Sequence, residues 1–147
     1  MDKALNYLSL ARKAGRAELG EEPVGAAARA LDAHLILVAS DASDHTWRRA
    51  KSFAAGTDQQ CLRLPCSKDD MGQAIGRTSL AIAAITDPAL ALALVEALGE
   101  DPQHTAVIEV LRQKVQKNRQ RSREAKAHQR NRRMGKRRST APIKKNG

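Results

Sequence analysis

Residues 35–43 read LILVASDAS. Leu35–Ala39 is apolar at every position, without the in-and-out alternation of a strand that keeps one face in water. Such a run fills a central strand covered on both faces. Ser40, Asp41 and Ser43 then supply turn and cap residues, with Ser43 or Asp44 opening a helix. A strand buried on both sides needs helices above and below its sheet, which is an α/β layer architecture.

The flanks carry the same alternation of strand and helix. Towards the N-terminus, Val24, Ala27, Ala28 and Leu31 repeat at i, i+3, i+4, i+7 and predict an amphipathic helix. Ala17–Leu19 before it is long enough only for a short strand. Ala4, Leu5, Leu8 and Ala11 predict a first helix over residues 2–14, closed by Arg12, Lys13 and the glycine stop at Gly15. Towards the C-terminus, Trp47, Ala50 and Ala54 mark a helix that ends near Gly56, and Cys61–Leu64 reads as another strand. Ser67 with Asp70 three residues on forms a capping box for a helix carried by Met71, Ala74 and Ile75. Leu80–Ile85 is the last strand, and Asp87 followed by Pro88 starts a helix with the face Ala91, Leu94, Val95 and Leu98. The expectation is four short strands between helices.

Charge divides the chain. Of its 147 residues, 1–111 hold 11 Lys and Arg against 15 Asp and Glu (net −4), whereas 112–147 hold 15 against one (net +14). One domain over residues 1–103 is expected, with GEDPQ at 99–103 as its hinge and a basic tail over 104–147. Val107, Leu111 and Val115 keep a helical stripe in that tail. Beyond them apolar residues nearly vanish, so a helical start fraying into a disordered arm is expected. Its Arg119, Arg121, Arg123, Arg130, Arg132, Arg133, Lys136, Arg137 and Arg138 can cross an RNA backbone without reading sequence. With a single Phe, Trp and Tyr, the core rests on Leu, Ile, Val and Ala, and an aromatic platform for single-stranded bases is excluded.

Other functional classes find no support. Cys61 and Cys66 lack a second pair of ligands, and the start MDKALNYL lacks the apolar core of a signal peptide, so a reducing cytoplasm is expected. The apolar window Leu80–Leu98 is cut by Asp87 and Pro88, which speaks against a membrane span. His34, Asp41, Asp44 and His45 are residue types of a metal or acid–base site, but His34 and His45 flank opposite ends of the LILVA strand. No glycine-rich loop followed by Lys-Ser or Lys-Thr cradles a phosphate. A noncatalytic protein without metal or cofactor is expected.

AGRAELGEEPVGAAARALDAHLILVASDAS (14–43), LPCSKDDMGQAIGR (64–77) and AIAAITD (81–87), in that order, resemble the ribosomal L-seven-Ae and L-thirty-e family of kink-turn RNA-binding proteins. The small bacterial YlxQ-type members are the most similar branch. The resemblance spans Met1 to Leu98. It implies a three-layer α/β/α sandwich on a four-stranded mixed sheet, and an RNA-binding, ribosome- or translation-associated protein, here expected to be a monomer. The turn at Gly20, Glu21 and Glu22 would face the RNA, backed by Lys13 and Arg16, and Leu64, Pro65, Cys66, Ser67 and Lys68 would approach it from the side. Better-known members read G-N-E in the first turn, where this chain has Glu21 in place of Asn. Asn donates and accepts, whereas a carboxylate only accepts.

Two motifs carry an ordinary structural reading beside this one. Glu21 and Glu22 in the first turn of a helix complement its dipole by about 0.3 to 1 kcal/mol each, and Ser67 with Asp70 is a helix cap whatever the protein does. An alternative role also stands: an assembly protein that has lost kink-turn recognition and touches ribosomal RNA through its tail alone.

Overall fold

The computed structural model describes residues 2–140, with side chains described for residues 3–130. The elements in chain order are α1 (Asp2–Lys13), β1 (Ala17–Leu19), α2 (Glu21–Arg29), β2 (Leu35–Val38), α3 (Asp44–Ala54), β3 (Gln60–Arg63), α4 (Lys68–Ala74), β4 (Ile82–Ile85), α5 (Pro88–Ala97) and α6 (Pro102–Thr140). The four strands form one sheet in the order β1-β4-β2-β3. β4 runs antiparallel to both β1 and β2, and β2 runs parallel to β3. The sheet is therefore mixed. On one side α1 packs against α4 and α5; on the other α2 packs against α3, with α2 over β1 and β4 and α3 over β2 and β3. The result is the α/β/α sandwich.

The two central strands explain the layering. Every residue of LILV in β2 and of IAAI in β4 is buried. Successive side chains point to opposite faces of a strand, so Ala83 and Ala84 present one methyl group to each helical layer and let both approach closely. Leu8, Leu35, Ile36, Leu37, Leu64, Met71, Ile75, Ile85 and Leu94 fill the remaining space. A buried amide ties two elements together: Gln59 Oε1 accepts from the Ala33 N–H at 2.9 Å, while Nε2 donates to the Ala28 carbonyl at 3.2 Å. The caps expected from the sequence form, with Ser67 and Asp70 in a reciprocal box and Asp87 Oδ2 accepting from the Leu90 N–H.

Leu31 departs from the expected helical face. α2 ends at Arg29, and Leu31 lies beyond it with φ 61° and 60% exposure. The Asp32 N–H reaches back to the Ala27 carbonyl and the Leu31 N–H to that of Ala28, which is a Schellman closure with Leu31 at the left-handed position where glycine is usual. The periodicity continues into the turn by coincidence of spacing, while the backbone has already turned.

The chain divides into two compact units, Met1–Arg112 and Gln113–Gly147. The hinge expected at 99–103 lies inside the first unit, because His104, Val107 and Leu111 of α6 are buried. In the second unit α6 is helical to Thr140, in place of the disordered arm expected after Val115. Residues 141–147 of the expected tail lie outside the described residues.

Leu31→Gly removes the left-handed strain of a branched side chain, offset in part by the added freedom of the unfolded chain. The substitution is expected to raise stability by about 0.5 to 1 kcal/mol, measured as a shift of the urea midpoint.

Candidate nucleic-acid interface

The topology brings four connections to one end of the sheet. β1, β2 and β3 all finish there, and the antiparallel β4 begins there, since Leu19 pairs with Ala83 and Val38 pairs with both Ile82 and Arg63. Backbone hydrogen bonds lace the connections together. The Gly20 N–H donates to the Ile82 carbonyl at 3.0 Å, Ala39 to Ala81 at 2.9 Å, Leu64 to Val38 at 2.8 Å, Ser40 to Cys66 at 2.8 Å, and Leu80 to Lys68 at 3.0 Å. Gly20–Glu22, Ser40–Asp41, Leu64–Lys68 and Arg77–Ala81 thus form one surface.

Gly20 sits at φ 97° and ψ 161°, a region that residues with a Cβ essentially do not adopt. Its glycine is required by backbone conformation, since an added Cβ would meet only Pro23 Cδ at 3.8 Å. No side chain caps α2, so the positive end of its dipole is left to Glu21, Glu22 and solvent. The two glutamates differ. Glu21 Oε1 lies 3.3 Å from Arg49 Nε of α3, and the Arg49 guanidinium lies 5.1 Å from the centre of the Phe53 ring. Glu22 is exposed and forms no ion pair among the described residues. It is the unengaged acceptor of the turn. The Arg49–Glu21 pair is half-exposed and contributes at most about 1 kcal/mol to stability.

The loop over 64–68 is held as tightly. Pro65 is exposed, and Lys68 is half-buried with its N–H donating to Asp41 Oδ1 at 2.8 Å. The Cys66 side chain, expected to approach RNA with its neighbours, is buried, and its carbonyl accepts from the N–H and Oγ of Ser40. Burial, and then the nearby Asp70 carboxylate, push its thiol pKa up. Cys61 is pushed to about 12 by burial, against the opposing charges of Lys51 and Arg63. Neither thiol is poised as a nucleophile.

The Arg16 backbone lies away from Gly20, while its side chain lines the same cavity as Pro23 in the first turn of α2. The Arg16 carbonyl accepts from the Thr86 N–H, at the opposite end of the sheet, where β1 begins and β4 finishes. Crossing β1 separates the Cα atoms of Arg16 and Gly20 by roughly 13 Å at the usual rise of a strand. Sequence reasoning missed Arg49 and Arg77. Arg77 is exposed in the connection that feeds β4, and its signal was a cation between α4 and the last strand. Nothing in the spacing links Arg49 to Glu21, which only the packing of α2 on α3 brings together. Gly72 fixes the Arg77 connection, because a Cβ there would lie 2.6 Å from the Ser79 backbone nitrogen.

Arg119, Arg121, Arg123 and Arg130 are exposed on α6. The side chains of Arg132, Arg133, Lys136, Arg137 and Arg138 lie outside the described residues. Among the described residues no group of His, Cys, Asp and Glu could hold a metal ion, and no helix is long and apolar enough to cross a membrane.

No protein-family model matches the chain. Over 75 residues, 51% of this chain and 72% of the relative, it is 35% identical to the RNA-binding protein YlxQ of Enterococcus faecium. The chain belongs to the YlxQ-type branch of the ribosomal L-seven-Ae and L-thirty-e family. Solved structures share the YlxQ-type fold. A protein of unknown function from Bacillus halodurans C matches with a TM-score of 0.62 at 24% identity, over 67% of this chain and 98% of its own. The Giardia lamblia 15.5kD RNA binding protein matches with a TM-score of 0.56 at 17% identity, over 74% of this chain and 87% of its own.

Gly72→Ala forces a methyl group against the backbone of the Arg77–Ala81 connection. A loss of about 1 to 3 kcal/mol is expected, read from urea unfolding, and an unchanged midpoint would show that the connection is not pinned there.

Proposed function

We propose that this protein is a noncatalytic RNA-binding protein that recognises kink-turn or similarly bent RNA through the laced end of its sheet, acts as a monomer in the cytoplasm and works at the ribosome or elsewhere in translation. The observation that carries the reading is the exposed, unengaged Glu22 at the uncapped start of α2, held beside the Lys68 and Arg77 connections in a protein of the YlxQ type. Two relatives in sequence or fold are named as RNA-binding proteins.

The chemistry follows from the donors of a bent RNA. A guanine in a sheared G·A pair keeps its N1–H and N2–H free, and a carboxylate accepts both. Glu22 takes that role, and the Cβ-free Gly20 lets the backbone approach the bases. Glu21 stands where better-known members have Asn, and Arg49 offsets its charge so that the turn carries one free carboxylate. Lys68, with the exposed Pro65 and the cap at Ser67, faces the flanking backbone, joined by Arg77. Lys13 and Arg16, at the far end of β1, meet phosphates further along the RNA. Cys66, buried, shapes the loop through the two bonds its carbonyl accepts from Ser40.

The arginines of 119–138 supply attraction without choice of sequence or shape. Each phosphate neutralised steepens the fall of affinity with salt by about 0.9 in log–log slope on a duplex. The folded unit selects a shape, and the basic segment supplies most of the salt dependence.

Fluorescence anisotropy with a kink-turn RNA and an uninterrupted duplex, at two salt concentrations, tests both halves. The full chain is expected to prefer the kink by tenfold or more, about 1.4 kcal/mol, and Glu22→Ala to abolish most of that preference. Replacing Arg119, Arg121, Arg123 and Arg130 by Gln is expected to flatten the salt slope for both RNAs while the preference persists. Equal binding of both RNAs by the full chain contradicts shape recognition and favours an assembly protein that touches RNA through its basic segment.

A further inference from the structure

The outer flank of the sheet carries a second basic cluster that the kink-facing turn does not use. β3 is the edge strand, and Cys61 and Arg63, two positions apart, share the face over which α3 lies. The Arg63 guanidinium sits 4.9 Å from the centre of the Trp47 ring, and Lys51 Nζ sits 5.4 Å from it. Trp47 is the one tryptophan of the chain. Arg48 precedes Lys51 by three positions on α3, so the two share a helical flank. Arg48, Lys51 and Arg63 are exposed, and none of them ion-pairs with a carboxylate among the described residues. Glu100 and Asp101 line a cavity of about 400 Å³ that Arg63 also lines, without an ion pair to it.

In a folded unit with more acidic than basic groups, cations left without carboxylate partners and held on an aromatic face stand ready for an external anion. A guanidinium lying on an indole keeps its N–H edge outward, the geometry that meets a phosphate through paired hydrogen bonds. The position of the cluster selects the anion. Arg63 is the last residue of β3 and leads directly into Leu64–Lys68, the connection that forms part of the proposed RNA surface.

We infer that Trp47, Lys51 and Arg63 form a phosphate clamp that grips the RNA backbone beside the kink, extending the interface from the Lys68 connection onto the edge of the sheet. Trp47 is the plate that holds the cations in place, and Lys51 and Arg63 are the contacts. This inference rests on the proposed RNA-binding function. It adds a subsite that carries affinity and salt dependence but no choice of RNA shape.

Trp47 reports on its own site. With the full chain, adding a kink-turn RNA with extended stems is expected to change the tryptophan emission, and Lys51→Gln with Arg63→Gln is expected to abolish that change. The same pair is expected to lower the salt slope by roughly 1 to 2, about one unit per lost phosphate contact, while the ratio of kink to duplex affinity is unchanged. Glu22→Ala has the opposite signature, losing the ratio and keeping the emission response on whichever RNA still binds. Loss of kink preference in the wild type therefore overturns shape recognition alone. An emission and salt slope that do not differ between the wild type and the Lys51, Arg63 variant overturn the clamp. A response to polyglutamate with none to RNA overturns it too, and assigns the cluster to an acidic protein partner.

Discussion

The antiparallel insertion of β4 between β1 and β2 is the constraint on which the surface depends. Were the sheet wholly parallel, β4 would begin at the end where the other strands begin. Because it runs the other way, its first residue lies beside the last residues of β1 and β2, and β2 aligns β3 in turn. Four connections that are distant in sequence then meet, and the bonds from Gly20 to Ile82 and from Leu80 to Lys68 fix two of them against the fourth. The buried IAAI of β4 permits this, since its small central residues admit helices closely on both faces. The shape of this end is a consequence of register more than of any single side chain.

Electrostatics gives the arrangement its character. An acidic turn is an unusual place for a polyanion, and a bare pair of glutamates would repel phosphate. Arg49 removes one of the two charges locally, held by its contact with Phe53, while Glu22 stays exposed, the acceptor proposed for base edges. In the proposed function attraction comes from elsewhere: from Lys68 and Arg77 of the folded unit and from the arginines of α6. Separating acceptors that read from cations that attract lets selectivity and affinity be set by different residues.

Much of the fold was legible because it rests on local signals. The continuous apolar run of LILV marked a strand covered on both faces, and Ser67, Asp70, Asp87 and Pro88 marked helix starts that the structure places within a residue or two. What stayed illegible depends on contacts between distant segments. Strand order and direction leave no trace in periodicity, so the meeting of Gly20, Lys68 and Ile82 at one end of the sheet could not be read from it. Cys66 was placed in the RNA-facing loop only by the family resemblance, and its side chain is buried. Leu31 continued the helical spacing past a turn that the backbone had already made. The glutamates could be placed at the start of α2 from their spacing, but the difference between them came only from the packing of α3.

The most direct test of the account is to follow the backbone amide resonances of the full chain as a kink-turn RNA is added. The account predicts the largest changes at Gly20, Glu21 and Glu22, at Lys68 and at Arg77–Ser79, with smaller changes at the opposite end of the sheet around Arg16 and Thr86, where the proposed contacts are to phosphates alone. Changes confined to residues 113–140, with the laced end silent, would contradict it.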